Sequence, residues 1–331
     1  MNKPVQRKRV VSGMRPTGPL HIGHLHGVLD TWIKMQDDYD CFFFLADFHA
    51  LTSWTQEMNV AENTLDVVLD WLSCGLDPTR STIFRQSDIG EIPPFHLLLS
   101  MFTPVGWLLR NPTYKDQVEQ LRLESPSYGL LGYPVLQSAD ILLYRGELVP
   151  IGKDQAPHLN LTIDLAESVV AHFGPIFPVP GYMHSEFATV PGTDNRKMSK
   201  SYGNAIYIKE SEDETSKKVM TMYTDPLKPY KNDPGHPNDC PVYYLSRIYV
   251  KDKTELENIR ATCESGSRGC VQCKKELATK MNDYLRPIRQ RRKELAEHPD
   301  EVERILTDGA EKASVVAREV LAEMIKAVKL R

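Results

Sequence analysis

The sequence predicts an α/β protein in two parts, a parallel-sheet domain followed by an all-helical one. Three observations carry this. Residues 9–13 and the run from Cys41 to Asp47 read as strands on either side of an amphipathic helix, the crossover unit of a parallel sheet. The segment Cys41-Phe42-Phe43-Phe44-Leu45 lacks polar alternation, as a strand buried on both faces requires. Beyond about residue 207 strand signals vanish and charged helical periodicity takes over. The expected division is 1–206 and 207–331, with a helical insertion at about 56–128.

The elements follow in order. Pro16-Thr17-Gly18-Pro19 after the first strand cannot be regular. From Ile22, apolar residues at Leu25, Val28, Leu29, Trp32 and Ile33 mark one helix face. A helix over 61–74 is stopped by Gly75 and Pro78. Residues 82–85 read as a strand, 94–109 and 115–123 as helices, and 138–144 as a short helix. A strand at 148–152 feeds a helix over 158–172, and 174–181 and 191–195 are Gly/Pro/Asp-rich loops. In the helical half, an apolar stripe runs along 302–328 through Leu306, Ala313, Ala317 and Met324.

Composition narrows the class. With 41% hydrophobic and 25% charged residues over 331 positions, disordered, collagen-like and coiled-coil chains are excluded. The longest apolar run, from Cys41 to Ala46, is far short of the roughly 18–20 residues that cross a bilayer. The basic start at 3–9 is not followed by a secretory apolar core, so a cytoplasmic location is expected. The formal charge of −4 argues against a uniformly basic nucleic-acid coat but permits a local basic face.

Two motifs carry chemistry. His21-Ile22-Gly23-His24 falls at a loop–helix junction, where free N–H groups suit a phosphate. The two histidines share a face of that turn, and Gly23 lets a base or ribose approach the backbone. Two imidazole donors there can stabilise charge developing on a phosphorus. Arg196-Lys197-Met198-Ser199-Lys200-Ser201 lies in a Gly-rich stretch and offers mobile ammonium groups and hydroxyls to a polyphosphate. Either motif alone has a plain alternative, a capped turn or a solvated loop. Together, HIGH after the first strand and KMSKS later in the chain are the signature pair of class I aminoacyl-tRNA synthetases, with their Rossmann-like catalytic domain.

The resemblance extends further. Ser12-Gly13-Met14-Arg15-Pro16-Thr17-Gly18, Leu45-Ala46-Asp47-Phe48-His49-Ala50-Leu51, Tyr133-Pro134-Val135-Leu136-Gln137-Ser138-Ala139-Asp140 and Gly152-Lys153-Asp154-Gln155 are similar to bacterial tryptophanyl-tRNA synthetases, over nearly the whole chain. This implies a cytoplasmic homodimer that joins tryptophan to ATP, with Mg²⁺ on the phosphates, and then esterifies the terminal adenosine of tRNA(Trp). The resemblance assigns catalysis to His21, His24, Lys197 and Lys200. It assigns ATP binding to Arg15, Thr17, Gly23, His24, Asp154, Lys197, Met198, Ser199 and Lys200, and tryptophan binding to Val11, Gly13, Tyr133, Gln137, Asp140 and Gln155. Chemistry agrees on Asp140, since indole N–H is a donor only and needs one buried acceptor among apolar walls.

Some positions depart from the family pattern. Thr-Ile-Gly-Asn is common where His21 to His24 stand, Gln137 replaces a frequent methionine, and Lys153 replaces a usual glutamate. Tyrosyl-tRNA synthetase is the nearest alternative, but its first strand usually carries a tyrosine where this chain has Val10 and Val11. A non-charging paralogue is a second alternative, opposed by the intact KMSKS loop and the full helical half.

The cysteines divide unevenly. Cys41 and Cys74 stand in apolar company, whereas Cys240, Cys263, Cys270 and Cys273 have the spacing C-x22-C-x6-C-x2-C. Four thiolates so grouped suit a structural Zn²⁺ or a [4Fe–4S] cluster. Only one C-x2-C knuckle is present, and the resemblance to a cluster-bearing subset of tryptophanyl enzymes favours iron–sulfur in an anticodon-binding helical domain. Nearby Arg268, Lys274, Lys275, Lys280, Arg286, Arg289, Arg291, Arg292 and Lys293 suggest an RNA-backbone footprint, against the plainer reading of a solvated helix face.

Overall fold

The structure, a computed structural model, describes residues 7–330 apart from 54, 121–122, 153–155 and 185–188. The strands among the described residues are β1 (Arg9–Met14), β2 (Asp40–Leu45), β3 (Ser81–Arg85), β4 (Leu148–Ile151) and β5 (Gly181–His184). They form one parallel sheet in the order β3-β2-β1-β4-β5. Val10 lies opposite both Cys41 and Leu148, and Phe43 opposite both Ser12 and Ile83. The chain builds outward from β1 through β2 and β3, then returns to add β4 and β5 on the other side. In an open sheet of this kind, the crevice beyond the carboxyl ends of the two strands flanking that reversal binds ligands.

The unbroken apolar character of β2 follows from its place. Cys41, Phe43 and Leu45 enter the core on one face of the sheet, and Phe42 and Phe44 enter the core on the other. Each large side chain so buried contributes about 1.5–3 kcal/mol. The first core runs without interruption from Val10 and Phe43 into Leu245, Leu277 and Met281, so the α/β and helical halves share it.

The helix after β1 differs from the single element its periodicity predicts. It consists of α1 (Ile22–His24), a π-helical turn over Leu25–Leu29, and α2 (Asp30–Met35). Such widened turns recur at functional sites. After β2 come α3 (Asp47–Ala50) and α4 (Val60–Cys74), the latter capped by the Asn59 side chain on the Glu62 N–H at 3.2 Å. The helix predicted over 94–109 is α5 (Ile92–Met101) and α6 (Val105–Arg110), broken where Pro104 intervenes. The helix predicted at 115–123 is α7 (Pro112–Gln120), which begins at its proline.

The short helix predicted at 138–144 is the end of α8 (Tyr128–Leu142), which continues through Pro134. After α9 (Ala156–Phe173) comes β5, four residues behind a proline-rich loop and too short to show a period in the sequence. Because β3 lies within 56–128, that span supplies an edge strand as well as helices.

The helical half comprises α10 (Glu212–Met220), α11 (Pro241–Tyr249), α12 (Lys253–Glu264), α13 (Cys270–Ala296) and α14 (Pro299–Ala327). Helix α14 returns to the sheet and packs on β3, its edge strand, covering an edge that would otherwise be open to pairing. The approach needs Gly309: a Cβ there would lie 1.9 Å from the Ile83 carbonyl oxygen. Gly309→Val should therefore destabilise the fold by about 2–3 kcal/mol, read as a lower urea midpoint; an unchanged midpoint would show that α14 does not sit this close.

Candidate active site

The HIGH turn stands at the carboxyl end of β1. His21 is buried and caps α1, its Nδ1 accepting the Gly23 N–H at 3.1 Å. His24 Nδ1 accepts the His21 N–H at 3.2 Å, and the two rings lie 3.8 Å apart. Both Nδ1 atoms act as acceptors, so each neutral ring carries its proton on Nε2 and has that N–H left to donate. Burial, followed by the positive charge of Lys200, lowers His21 to about 4. Burial and then His21 hold His24 well below the usual imidazole range. Gly23 has a local reason as well: a Cβ there would come within 2.8 Å of the His21 ring.

The KMSKS loop is seated against this turn. Buried Met198 packs beside Gly23, and Lys200 Nζ donates to the Gly18 carbonyl at 2.7 Å. Ser199 N–H donates to the side-chain oxygen of Asn204, whose amide reaches Asp194 and the Lys197 carbonyl. Asn204 is buried and organises the loop, a role without a signal in the sequence. Lys197 is exposed.

A cleft of about 560 Å³ opens at the ends of β1 and β4, within the usual range for small-molecule sites. Val11, Gly13, Arg15, Thr17, His24, Tyr133, Gln137 and Asp140 all line it; the His21 ring lies tilted against that of His24. Arg15 donates to Ser53 Oγ at 2.6 Å, while its buried Nε has no hydrogen-bond partner among the described residues. An unsatisfied guanidinium N–H at a cleft suits an anionic ligand. Lys153, Asp154 and Gln155 lie outside the described residues.

At the inner end, Asp140 is fully buried. Its carboxylate accepts from His49 Nε2 at 2.8 Å and from Gln86 Nε2 at 2.8 Å. Burial raises its pKa, opposed first by the hydrogen bond and charge of His49 and then by the Gln86 hydrogen bond. Tyr133 Oη pairs with His158 Nε2 at 2.7 Å, and burial pushes the phenol up to about 12. Sequence reasoning did not assign His49, Gln86 and His158 to the site. His49 stands in a quoted motif, but nothing marks Gln86, which reaches Asp140 only through the fold.

The four grouped cysteines come together as well. Cys240, Cys263, Cys270 and Cys273 line one void with Arg268 and Lys274. Gly235 leaves room for Cys263, since a Cβ would sit 2.5 Å from its Sγ. Among the described residues, no three His, Cys, Asp or Glu groups converge as they would on a single metal ion. Burial pushes the Cys273 thiol up to about 12 and raises Cys240 and Cys263.

Six of the nine residues of the expected basic footprint have partners within the chain. Lys274 is buried and donates to the Met222 carbonyl and Thr224 Oγ1. Arg268 pairs with Glu276, Lys280 with Glu255, and Arg286 with Glu212. Arg289 bonds Ile208 O and Thr215 Oγ1, and Arg292 bridges Asp66 and Asp70. Of the nine, Lys275, Arg286, Arg291 and Lys293 are exposed.

Residues 3–286 match the family of class I tRNA synthetases for W and Y, and the chain belongs to that family. Within it, the chain is 38% identical to the tryptophan–tRNA ligase of Aquifex aeolicus, over 97% of this chain and all of that protein. It is 42% identical to the tryptophan–tRNA ligase of Thermotoga maritima, over 97% and 99% of the two chains. The crystal structure of tryptophanyl-tRNA synthetase from Campylobacter jejuni, complexed with ADP and tryptophan, superposes with a TM-score of 0.88 at 35% identity, covering 97% and 99%.

The pH dependence of the site follows from Lys200. Burial lowers its ammonium to about 8, opposed by Asp70 and Asp66 and aided by Lys209. The cation is present below that pH and lost above it, whereas His21 stays neutral at any pH well above 4. The kcat/KM for ATP in the free enzyme should fall as pH rises through 8, and Lys200→Arg should remove that limb. A flat profile from pH 7 to 9, or a limb that persists in Lys200→Arg, would contradict it.

Proposed function

We propose that this chain activates L-tryptophan with ATP, releasing pyrophosphate, and transfers the amino acid to tRNA(Trp). The carrying observation is Asp140, a fully buried carboxylate in the apolar inner wall of a cleft whose other end bears the HIGH turn. Tryptophan–tRNA ligases at 35–42% identity over nearly the full chain support it, and the activity is that of an ATP-dependent aminoacyl-tRNA ligase.

The chemistry is positioning and electrostatics. A tryptophan carboxylate oxygen bonds to the α-phosphorus as the bond to the pyrophosphate oxygen breaks; a hydroxyl of the terminal tRNA adenosine then displaces AMP. Neutral His24, backed by His21, donates its Nε2–H toward the phosphates. Arg15, Thr17, Met198, Ser199 and the lysines Lys197 and Lys200 frame ATP, with Gly23 keeping the turn open and Asp154 at the ribose. Mg²⁺ enters with the nucleotide. Asp140 takes the indole N–H against Val11, Gly13 and Gln137, and Tyr133 and Gln155 take the α-amino group. Tyr133 can do so because its phenol oxygen, paired with His158, keeps a lone pair to accept.

Two further assignments belong to this reading. The 207–331 region meets the anticodon end of the tRNA, with Lys275, Arg286, Arg291 and Lys293 as its exposed basic side chains. The chain works in the cytoplasm as a homodimer, supported by the adjacent exposed apolar residues Leu97, Met101, Val105 and Leu109 on α5 and α6. No helix among the described residues is long and apolar enough to cross a membrane.

Cys240, Cys263, Cys270 and Cys273 would hold a [4Fe–4S] cluster, with Zn²⁺ as the alternative. A void ringed by four thiols, with room at Gly235 and the cations of Arg268 and Lys274 alongside, suits a polynuclear anionic group. Such a cluster would cross-link the starts of α11 and α13 to the end of α12 and add one-electron redox capacity.

Charging of tRNA with labelled tryptophan, with tyrosine as competitor, tests the activity. Tryptophan should exceed tyrosine by at least about 10³-fold, and Asp140→Ala should raise the tryptophan KM about 10- to 100-fold while leaving that for ATP within twofold. Charging with tyrosine, or an unmoved tryptophan KM, overturns the assignment. Protein purified without oxygen should contain iron and acid-labile sulfide in equal amounts; zinc in their place would decide for the alternative.

A further inference from the structure

The backbone N–H and C=O of Leu20, one residue before the HIGH turn, are each tied to the helical half. Its N–H donates to Asp70 Oδ2 at 3.0 Å, and Asp70 Oδ1 accepts from Arg292 Nε at 2.7 Å. Its C=O accepts the Ile208 N–H at 3.0 Å, and the Ile208 C=O accepts from Arg289 Nε at 3.0 Å. Arg289 and Arg292 share one helix, α13. The Arg292 fork also reaches Asp66, 2.6 Å from Nη2, while Lys209 donates to the other Asp66 oxygen at 2.7 Å. Asp70 is fully buried.

A buried ion pair is weak evidence for stability, because desolvation offsets much of its attraction and apolar residues of like size often serve as well. Here the pair does something an apolar contact cannot. It presents one carboxylate oxygen to a single backbone N–H and fixes the other oxygen on a planar fork. That oxygen sets where Leu20 lies, and Leu20 sets where His21 begins the turn. Lys200 docks two residues away on Gly18 O, so the same short segment carries both signatures.

We propose that Asp70 and Arg292 are positioning residues for amino-acid activation: they hold the Leu20 backbone so that His21 and His24 face the ATP phosphates, and they make that alignment depend on how α13 is seated. The inference rests on the assignment of the HIGH turn to ATP. The displacement that loss of the clamp allows, on the order of 1 Å, costs about 100-fold in rate when it reaches reacting groups.

The test is tryptophan-dependent pyrophosphate–ATP exchange with the full-length chain, on variants whose melting curves show them folded at the assay temperature. Arg292→Lys keeps the charge but loses the fork, and should lower kcat about tenfold with the tryptophan KM within twofold. Arg292→Gln and Asp70→Asn should lower kcat about 30- to 100-fold. The double variant should be no worse than about threefold beyond the poorer single one, because both act through one contact. If Asp70→Asn does not fold, the two Arg292 variants decide alone. Folded Arg292 variants within twofold of the parent kcat, or effects that multiply in the double variant, overturn the proposal. His24→Ala separates the two levels: an unchanged kcat there removes the assignment of the turn, whereas a loss there with none at Arg292 removes only the clamp.

Discussion

Polar groups taken out of water must find partners inside the protein, and around the crevice between β1 and β4 that requirement governs the structure. Asp140, Asp70, His21 and Asn204 are all buried there. Each is satisfied by a group from a distant part of the chain or by the backbone of its own turn. Leaving any one unpaired costs about 1–3 kcal/mol, more for a charge. The partners therefore fix the relative positions of α3, α4, α8, α13 and the KMSKS loop as firmly as the apolar cores do.

This explains the character of the cleft. Its two ends are electrostatically different because their buried groups have different neighbours. At the HIGH end, burial and nearby charges keep the histidines neutral, so each has an N–H to donate, while Lys197 and Lys200 carry the positive charge. At the inner end one carboxylate sits among apolar walls and is oriented by His49 and Gln86. In the proposed function a donor-only heterocycle would meet an acceptor there and a polyanion would meet cations at the other end, which would hold the substrate in one direction along the cleft.

The same requirement joins the two halves. A −4 chain with nine basic residues near its cysteines suggests a broad surface for RNA. Yet six of the nine satisfy carbonyls and carboxylates within the chain, among them the buried Asp70. The continuous core from the sheet into α11 and α13, and α14 lying on β3, make the helical half part of what supports the active site.

Much of this was legible in the residues. The apolar run of β2, the Gly–Pro loop before the HIGH turn and the amphipathic spacings announced a parallel sheet and most helices, because backbone periodicity and turn chemistry are local properties. HIGH, KMSKS and Asp140 were legible as candidates for chemistry, since few residue types can bind phosphate or take an indole N–H. The breaks at Pro104, the π turn at Leu25–Leu29 and four-residue β5 were not, because tertiary packing decides where short elements stop. Nor were Gln86 on Asp140, Asn204 on the KMSKS loop, or Arg292 on Asp70. Those pairs lie far apart in the chain, and whether an arginine faces solvent or a buried carboxylate depends on what the fold places opposite it. The sequence by itself determined which groups could do the chemistry; the tertiary structure decided which were desolvated, and desolvation gives each its partner, its charge state and its direction.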